Sequence, residues 1–348
     1  MSEEKRTDDY HRHARARRRS IRRAWMGVAG IALIGLAVVF YPEIRSVLPH
    51  PPSSVAQQPT DKAAPAPSAI FADPLKLDGA RALKEATEFV AIGPRVSGTE
   101  GDEKAAQYIA KRLKDFEIEP EIDEFTQDTV AGEVKFRNII GLVPGTGSKI
   151  IILASHYDTR SDISEGFVGA NDSGSSTGLL LELARVLHEG KQPSSTIMFA
   201  FLDGEECKKK YGKNDGLHGS YHLASKLVKQ GKARQVSAFI LLDMIGDRNL
   251  SVTIPLNSTP ELTSLVLVSA REEGVREKFC ILPGSMIDDH VPFLKARIPS
   301  VDIIDFQYGS EPGKNDYWHS TDDTIDKLSA ESLQTIGRVV LRTLNKLM

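Results

Sequence analysis

The sequence predicts an α/β protein, a three-layer α/β/α sandwich with a mixed, mainly parallel central sheet. Two observations predict it. From residue 74 onward, short runs of Val, Ile, Leu, Phe and Ala alternate with longer segments of helical periodicity, the succession of strand and helix that builds such folds. Most of the short runs are continuously apolar rather than alternating, as strands buried on both faces must be.

Three segments precede that body. Residues 1–23 hold nine Lys or Arg against four Asp or Glu, which leaves the rest of the chain near -8 within an overall net charge of -3. A mildly acidic body excludes nucleic acid as the main partner, because phosphate binding needs a basic face. Residues 24–41, AWMGVAGIALIGLAVVFY, carry no charge and are long enough to span a thin bilayer at about 1.5 Å per helical residue. Trp25 and Tyr41 stand at the two ends, where aromatic side chains favour the membrane interface. With the basic flank first, the amino terminus is expected to stay cytoplasmic and the body to be extracytoplasmic, periplasmic or extracellular. A cleaved signal peptide is the alternative, although the stretch before the apolar core is long for one and no small-x-small site follows Val39. Residues 42–73, rich in Pro, Ala, Ser and Gln, read as an extended linker that cannot bury a core.

Within residues 74–348, the catalytic body, the elements follow in order. Residues 77–92 and 99–116 space their apolar side chains for helices, with Ala106, Ile109, Ala110 and Leu113 on one face of the second. Thr99 is placed to cap that helix, with Asp102 three residues on. Strands are expected at 138–143, 150–155, 196–202, 238–243 and 300–304, and helices at 172–188, 217–229, 260–273, 289–296 and 330–347. The GTGS turn at 145–148 precedes a strand and is no phosphate cradle. The two cysteines, Cys207 and Cys280, form no Cys-x-x-Cys pair and no disulfide framework.

Ligands in open α/β sheets bind beyond the carboxyl ends of the strands. IIILASHYDTR places His156 and Asp158 past one strand, FAFLDGEEC places Glu205 and Glu206 past another, and AFILLDMIG ends a third on Asp243. GANDSGSSTG puts Asp172 at the start of a long helix, and NDYWHSTDD supplies His319 from a late loop. Taken singly, Asp172 reads as a helix cap, Glu205 and Glu206 as a solvated pair and His319 as a structural histidine. Together, two imidazoles with three carboxylates make a nitrogen and oxygen donor set suited to zinc, in which one carboxylate can bridge two ions. His218 and His222 share a helix face but lack the Glu of an HExxH motif, since Gly219 follows the first, and read as structural. Lys208 to Lys210 read as a solvated loop bordering the substrate entrance.

From IGPRVSGTEGDEKAAQYIAKRL through SHYDTR, GANDSGSSTG, DGEE, LHGSYHLA, LLDMIG, DDHVPFL and YWHSTDDTIDKLS, the motifs over about residues 75–346 resemble, in order and spacing, the zinc-dependent aminopeptidase and glutaminyl cyclase superfamily. The resemblance implies one or two Zn2+ ions, with Asp172 shared, Glu206 joining His156 at one ion, and Asp243 joining His319 at the other. It implies Glu205 as acid and base, Asp289 as an aspartate hydrogen-bonded to it, and Trp318 as an indole lining a small substrate pocket. DGEE followed by an insertion, DDHVPFL and the Trp318–His319 pair look closer to the cyclase branch. The implied activity is therefore cyclisation of N-terminal Gln on peptides or proteins to pyroglutamate, with a zinc aminopeptidase as the alternative. An inactive receptor-like scaffold is disfavoured by the complete donor set. If residues 24–41 anchor the chain, full-length protein will sediment with membranes and resist alkaline carbonate, whereas residues 74–348 alone will be recovered in the supernatant; release of the full chain by carbonate would refute the anchor.

Overall fold

The computed structural model describes residues 71–348. The tail at 1–23, the anchor at 24–41 and nearly all of the linker at 42–73 lie outside the described residues, among which no helix is long and apolar enough to cross a membrane.

In chain order the elements are helices α1 (Gly79–Val90) and α2 (Glu100–Asp115), strands β1 (Glu121–Thr129), β2 (Gly132–Val143) and β3 (Ile150–His156), helix α3 (Ser176–His188), strand β4 (Thr196–Leu202), helix α4 (His218–Lys229) and strands β5 (Val236–Asp243) and β6 (Val252–Pro255). Helix α5 (Pro260–Glu272), strand β7 (Phe279–Leu282), helix α6 (His290–Lys295), strand β8 (Ser300–Ile304) and helix α7 (Ala330–Leu347) complete the body. The main sheet runs β1-β2-β4-β3-β5-β8. Strands β4, β3, β5 and β8 are mutually parallel, and β1 and β2 extend one edge antiparallel. Strands β6 and β7 form a separate parallel pair. This is the mixed, mainly parallel sandwich the sequence predicts.

The side-chain period of a strand sends alternate residues to opposite faces, and here both faces are covered. Ile151 and Leu153 of β3 join the core formed with Leu179, Leu183 and Val340, while Ile152 and Ala154 join Leu223, Leu227 and Phe293 on the other side. Helix ends are satisfied locally. Asp78 accepts the N–H of Ala80 at 2.9 Å, and Thr99 Oγ1 accepts that of Asp102 at 3.4 Å while the Asp102 carboxylate accepts the N–H of Gly98 at 3.1 Å. The expected Thr99 cap is therefore present, and Asp102 answers it reciprocally.

Four strands depart from expectation. Strand β1 alternates exposed and half-buried residues and reads EIDEFTQDT, so its strand period is hidden by charge, and β2 begins six residues before its apolar run. Strands β6 and β7 have only four residues each, too few for a period to register. The expected helix from residue 172 begins regularly only at Ser176; residues 170–175 form an irregular turn in which Asp172 is extended, with φ -105° and ψ 83°.

Helices α1 and α3 cross closely at Gly178, where a Cβ would lie 2.6 Å from the Ala86 backbone nitrogen and 2.7 Å from the Ala82 carbonyl oxygen. Backbone cannot swing aside as a side chain can, so the helices must part. Gly178→Ala is expected to destabilise the fold by about 1–3 kcal/mol, read as a lower urea midpoint with an unchanged m-value; an unchanged midpoint would show that the crossing has slack.

Candidate active site

Register aligns the carboxyl ends of the parallel strands. His156 pairs with Leu202 and Asp243 with Ile304, so the segments leaving these strand ends open onto one crevice. His156 closes β3, Asp243 closes β5, and Glu205 and Glu206 lie just beyond β4. Asp172 enters from the turn before α3, and His319 from the loop after β8, where its φ is +51°.

The five donors converge. His156 Nε2 lies 3.1 Å from Asp172 Oδ1 and 3.3 Å from Asp243 Oδ1. His319 Nε2 lies 3.3 Å from Asp172 Oδ2 and 3.1 Å from Glu206 Oε1. Asp172 thus turns one oxygen to each imidazole, and the donors divide into His156–Asp172–Asp243 and Asp172–Glu206–His319, each compact enough to hold a metal ion. Asp172 is the shared member, as expected, but the partners are exchanged. The sequence expectation joined Glu206 to His156 and Asp243 to His319, whereas in space His156 faces Asp243 and His319 faces Glu206. Strand β3 has β4 on one side and β5 on the other, so strand order allows His156 either partner, and the late loop that brings His319 against Glu206 decides it.

The residues fit a cation. Asp172 Oδ2, Glu206 Oε2 and Asp243 Oδ1 are buried without a hydrogen-bond partner, a costly state for carboxylates unless a positive charge faces them. Two imidazoles and three carboxylates form a borderline nitrogen and oxygen set appropriate to a divalent transition metal. The protonation pattern agrees. Burial lifts Asp243 and carries Glu206 to about 7, with the neighbouring Asp172 adding to the rise of Glu206. Burial also favours protonation of Asp172, but His156 and His319 together hold it well below the ordinary carboxylate range. Burial disfavours the imidazolium of His319, yet Asp172 and Glu206 raise it to about 9. In the metal-free protein, protons on the imidazoles supply the positive charge.

Glu205 is buried, and its Oε1 accepts a hydrogen bond from the Tyr211 hydroxyl at 2.8 Å. Burial raises its pKa well above the carboxylate range; His156 opposes the rise, and Glu206, Asp289 and Asp158 reinforce it. Asp289 is fully buried, but both of its carboxylate oxygens lack a partner. It acts on Glu205 through space, and the hydrogen bond that the sequence expected of it is supplied by Tyr211. The half-buried Trp318 ring stacks on His319 with centroids 4.0 Å apart and meets Phe306 edge-on at 4.9 Å, an apolar wall beside the donors. His218 and His222 stack on Phe136 and Phe125 and are structural. Cys207 and Cys280 are free, the first buried and the second exposed.

Sequence reasoning gives no role to several supporting groups. Asp158 stands 3.5 Å from His156 Nδ1 and accepts the N–H groups of Glu205 and Glu206 at 3.0 and 3.2 Å, tying two strand ends together. Asp323 accepts the N–H groups of Asn171 and Asp172 at 2.7 and 3.2 Å and the Tyr308 hydroxyl at 2.8 Å. Arg95, wholly buried, donates to the carbonyls of Tyr157, Gly93, Val168 and Gly169. Burial lowers its pKa to about 10 against the opposing charges of Asp158, Asp323 and Asp172. Position held the signal for two of these: Asp158 follows His156 by two residues, and Asp323 follows His319 by four.

The chain belongs to peptidase family M28, whose model matches residues 138–344. Among its relatives is a glutaminyl-peptide cyclotransferase of Drosophila melanogaster, 28% identical over 285 residues that cover 74% of this chain and 78% of the relative. The crystal structure of an Acidobacteriales bacterium glutaminyl cyclase is 35% identical with a TM-score of 0.73, covering 84% of this chain and 99% of that one. A Zn-dependent exopeptidase from Parabacteroides distasonis is 29% identical with a TM-score of 0.68, covering 77% and 98%.

Because His319 holds its proton up to about pH 9 in the metal-free protein, a divalent metal must displace that proton to bind at neutral pH. Affinity is therefore expected to weaken as pH falls below about 9. Calorimetry of metal binding in buffers of differing ionisation enthalpy will report net proton release, and its absence at pH 7 would count against His319 as a donor.

Proposed function

We propose that the protein is a zinc-dependent glutaminyl-peptide cyclotransferase, converting N-terminal Gln of peptides or proteins to pyroglutamate with release of ammonia. The observation that carries this reading is the likeness to a glutaminyl cyclase across 99% of that chain at 35% identity. A likeness that runs over nearly the whole of that chain supports the reading better than isolated motifs would. Zn2+ held by His156, Asp172 and Asp243, by Asp172, Glu206 and His319, or by both groups would supply a Lewis acid for the side-chain amide carbonyl.

The chain's own residues account for the rest. The substrate's α-amine attacks the side-chain amide carbon, a C–N bond forms to close a five-membered ring, and the original C–N bond to the leaving nitrogen breaks. Glu205 takes the proton that the amine sheds and hands it to that nitrogen, which departs as ammonia. A carboxylate whose pKa is raised by burial is suited to both halves of the transfer near neutral pH. Nucleophile and electrophile belong to one molecule, so the site has only to hold the substrate folded on itself, a task for which the Trp318 and Phe306 wall beside His319 is placed.

Two observations favour a second reading. Both metal groups are complete, as hydrolysis by a two-metal site requires, and an exopeptidase stands among the similar structures. An aminopeptidase would use Glu205 to activate water and would release the first residue. The anchor and export of the body are part of the proposal too, supported by the basic flank and apolar run at residues 15–41.

Offered peptides beginning with Gln or Leu, the protein is expected to release ammonia from the first without shortening it and to leave the second intact. Free amino acid from the Leu peptide and no ammonia from the Gln peptide would replace the cyclase with the peptidase. Glu205→Gln is expected to lower turnover by about 10²–10⁴-fold with bound zinc unchanged, and wild-type turnover in that variant would remove Glu205 from its role.

A further inference from the structure

Between the base and helix α4 the chain makes an excursion, residues 207–216, that ordinary rules describe as a solvated lysine-rich loop. Lys208, Lys209, Lys210 and Lys213 are indeed exposed. Its backbone, however, is tightly organised. The buried Asp215 carboxylate accepts the N–H groups of Lys208, Lys209 and Lys210 at 2.6, 2.9 and 2.9 Å. Gly212 and Asp215 exchange backbone hydrogen bonds at 3.0 and 3.3 Å. The N–H groups of Leu217 and His218 return to the carbonyls of Glu205 and Gly204 at 2.9 and 2.8 Å, so the excursion is fastened at its base to the segment that carries the catalytic carboxylates. Gly216, at φ +80°, leaves room for the Tyr211 ring, because a Cβ there would stand 2.6 Å from the ring and 2.9 Å from the Glu205 carbonyl oxygen. The inward result is the Tyr211 hydroxyl, donated to Glu205 Oε1 at 2.8 Å.

We propose that Tyr211 is a positioning residue for Glu205, and that the loop folded around Asp215 exists to deliver its hydroxyl. A glutamate has three rotatable side-chain bonds, and burial alone does not fix which way its oxygens face. One hydroxyl on Oε1 leaves Oε2 as the oxygen free to carry the substrate's proton. Misplacement of a catalytic group by about 1 Å costs on the order of 100-fold, so a single oriented donor is a sizeable device. The inference rests on Glu205 as the proton carrier, but not on which of the two reactions it serves.

Tyr211→Phe keeps the ring and removes only the donor. Measured on the full chain with both the Gln and the Leu peptide, kcat of whichever reaction the wild type performs should fall about 10- to 100-fold. KM should stay within about twofold, with zinc content and melting temperature unchanged. Asp215→Ala, which frees the loop, should lower kcat in the same direction. A wild type that only hydrolyses would sink the cyclase reading and still test Tyr211 through its hydrolytic kcat. Unchanged kcat in Tyr211→Phe overturns the inference, as does a fall in kcat that tracks lost zinc or lost stability. A crystal structure of the zinc-loaded protein with the Tyr211 hydroxyl beyond hydrogen-bond reach of Glu205 overturns it without any assay.

Discussion

Asp172 lies buried between His156 and His319 with one oxygen toward each, and this shared carboxylate is the constraint around which the rest of the site is arranged. It joins the two metal groups into one, so neither can be displaced without the other. It also bears the largest electrostatic cost, because Asp158, Asp243 and Asp323 are buried nearby and the Glu206 carboxylate is almost covered beside it. Breaking a buried ion pair typically costs about 3–5 kcal/mol. The fold answers in three ways. Arg95 brings a buried guanidinium; peptide N–H groups are aimed at Asp158 and Asp323; and the charge still uncompensated is gathered where a cation can meet it.

The sheet makes that concentration possible. Parallel strands in register bring their carboxyl ends to one rim, and apolar side chains on both faces exclude water beneath it. Electrostatic interactions at the rim are strong because the body below is dry. The same dryness raises the pKa of Glu205 well above the carboxylate range. Packing, charge and chemistry are here one arrangement, and a change in the core that admitted water would be felt first as a change in the base.

Much of this was legible along the chain. His156, Glu205, Glu206 and Asp243 each follow an apolar run that could only be a buried strand, so their placement at one crevice followed from the fold class. The pairing of donors was not legible, because β3 lies between β4 and β5 and the choice falls to the late loop that sets His319 against Glu206, a contact that leaves no mark in local periodicity. Asp172 taken alone reads as a helix cap, and only the company of the other donors marks it as a shared ligand; the helix itself begins later, at Ser176. The β1 hairpin was hidden by its charges. Tyr211 carried no signal at all: a tyrosine after three lysines reads as surface, and only the turn built on Asp215 sends it inward.

The hydrogen bond from the Asp172 N–H to Asp323 joins residues 151 positions apart. A polypeptide emerging from the ribosome can assemble β3, β4 and β5 while its last segment is still being made, and at that stage it possesses neither His319 nor Asp323. Such a nascent molecule would have one half of its metal cradle, with the shared carboxylate held from the His156 side alone. The second metal group therefore closes only after residue 319 has been made, and a proteolytic cut between β5 and His319 that released the distal piece would open that group while leaving most of the sheet standing.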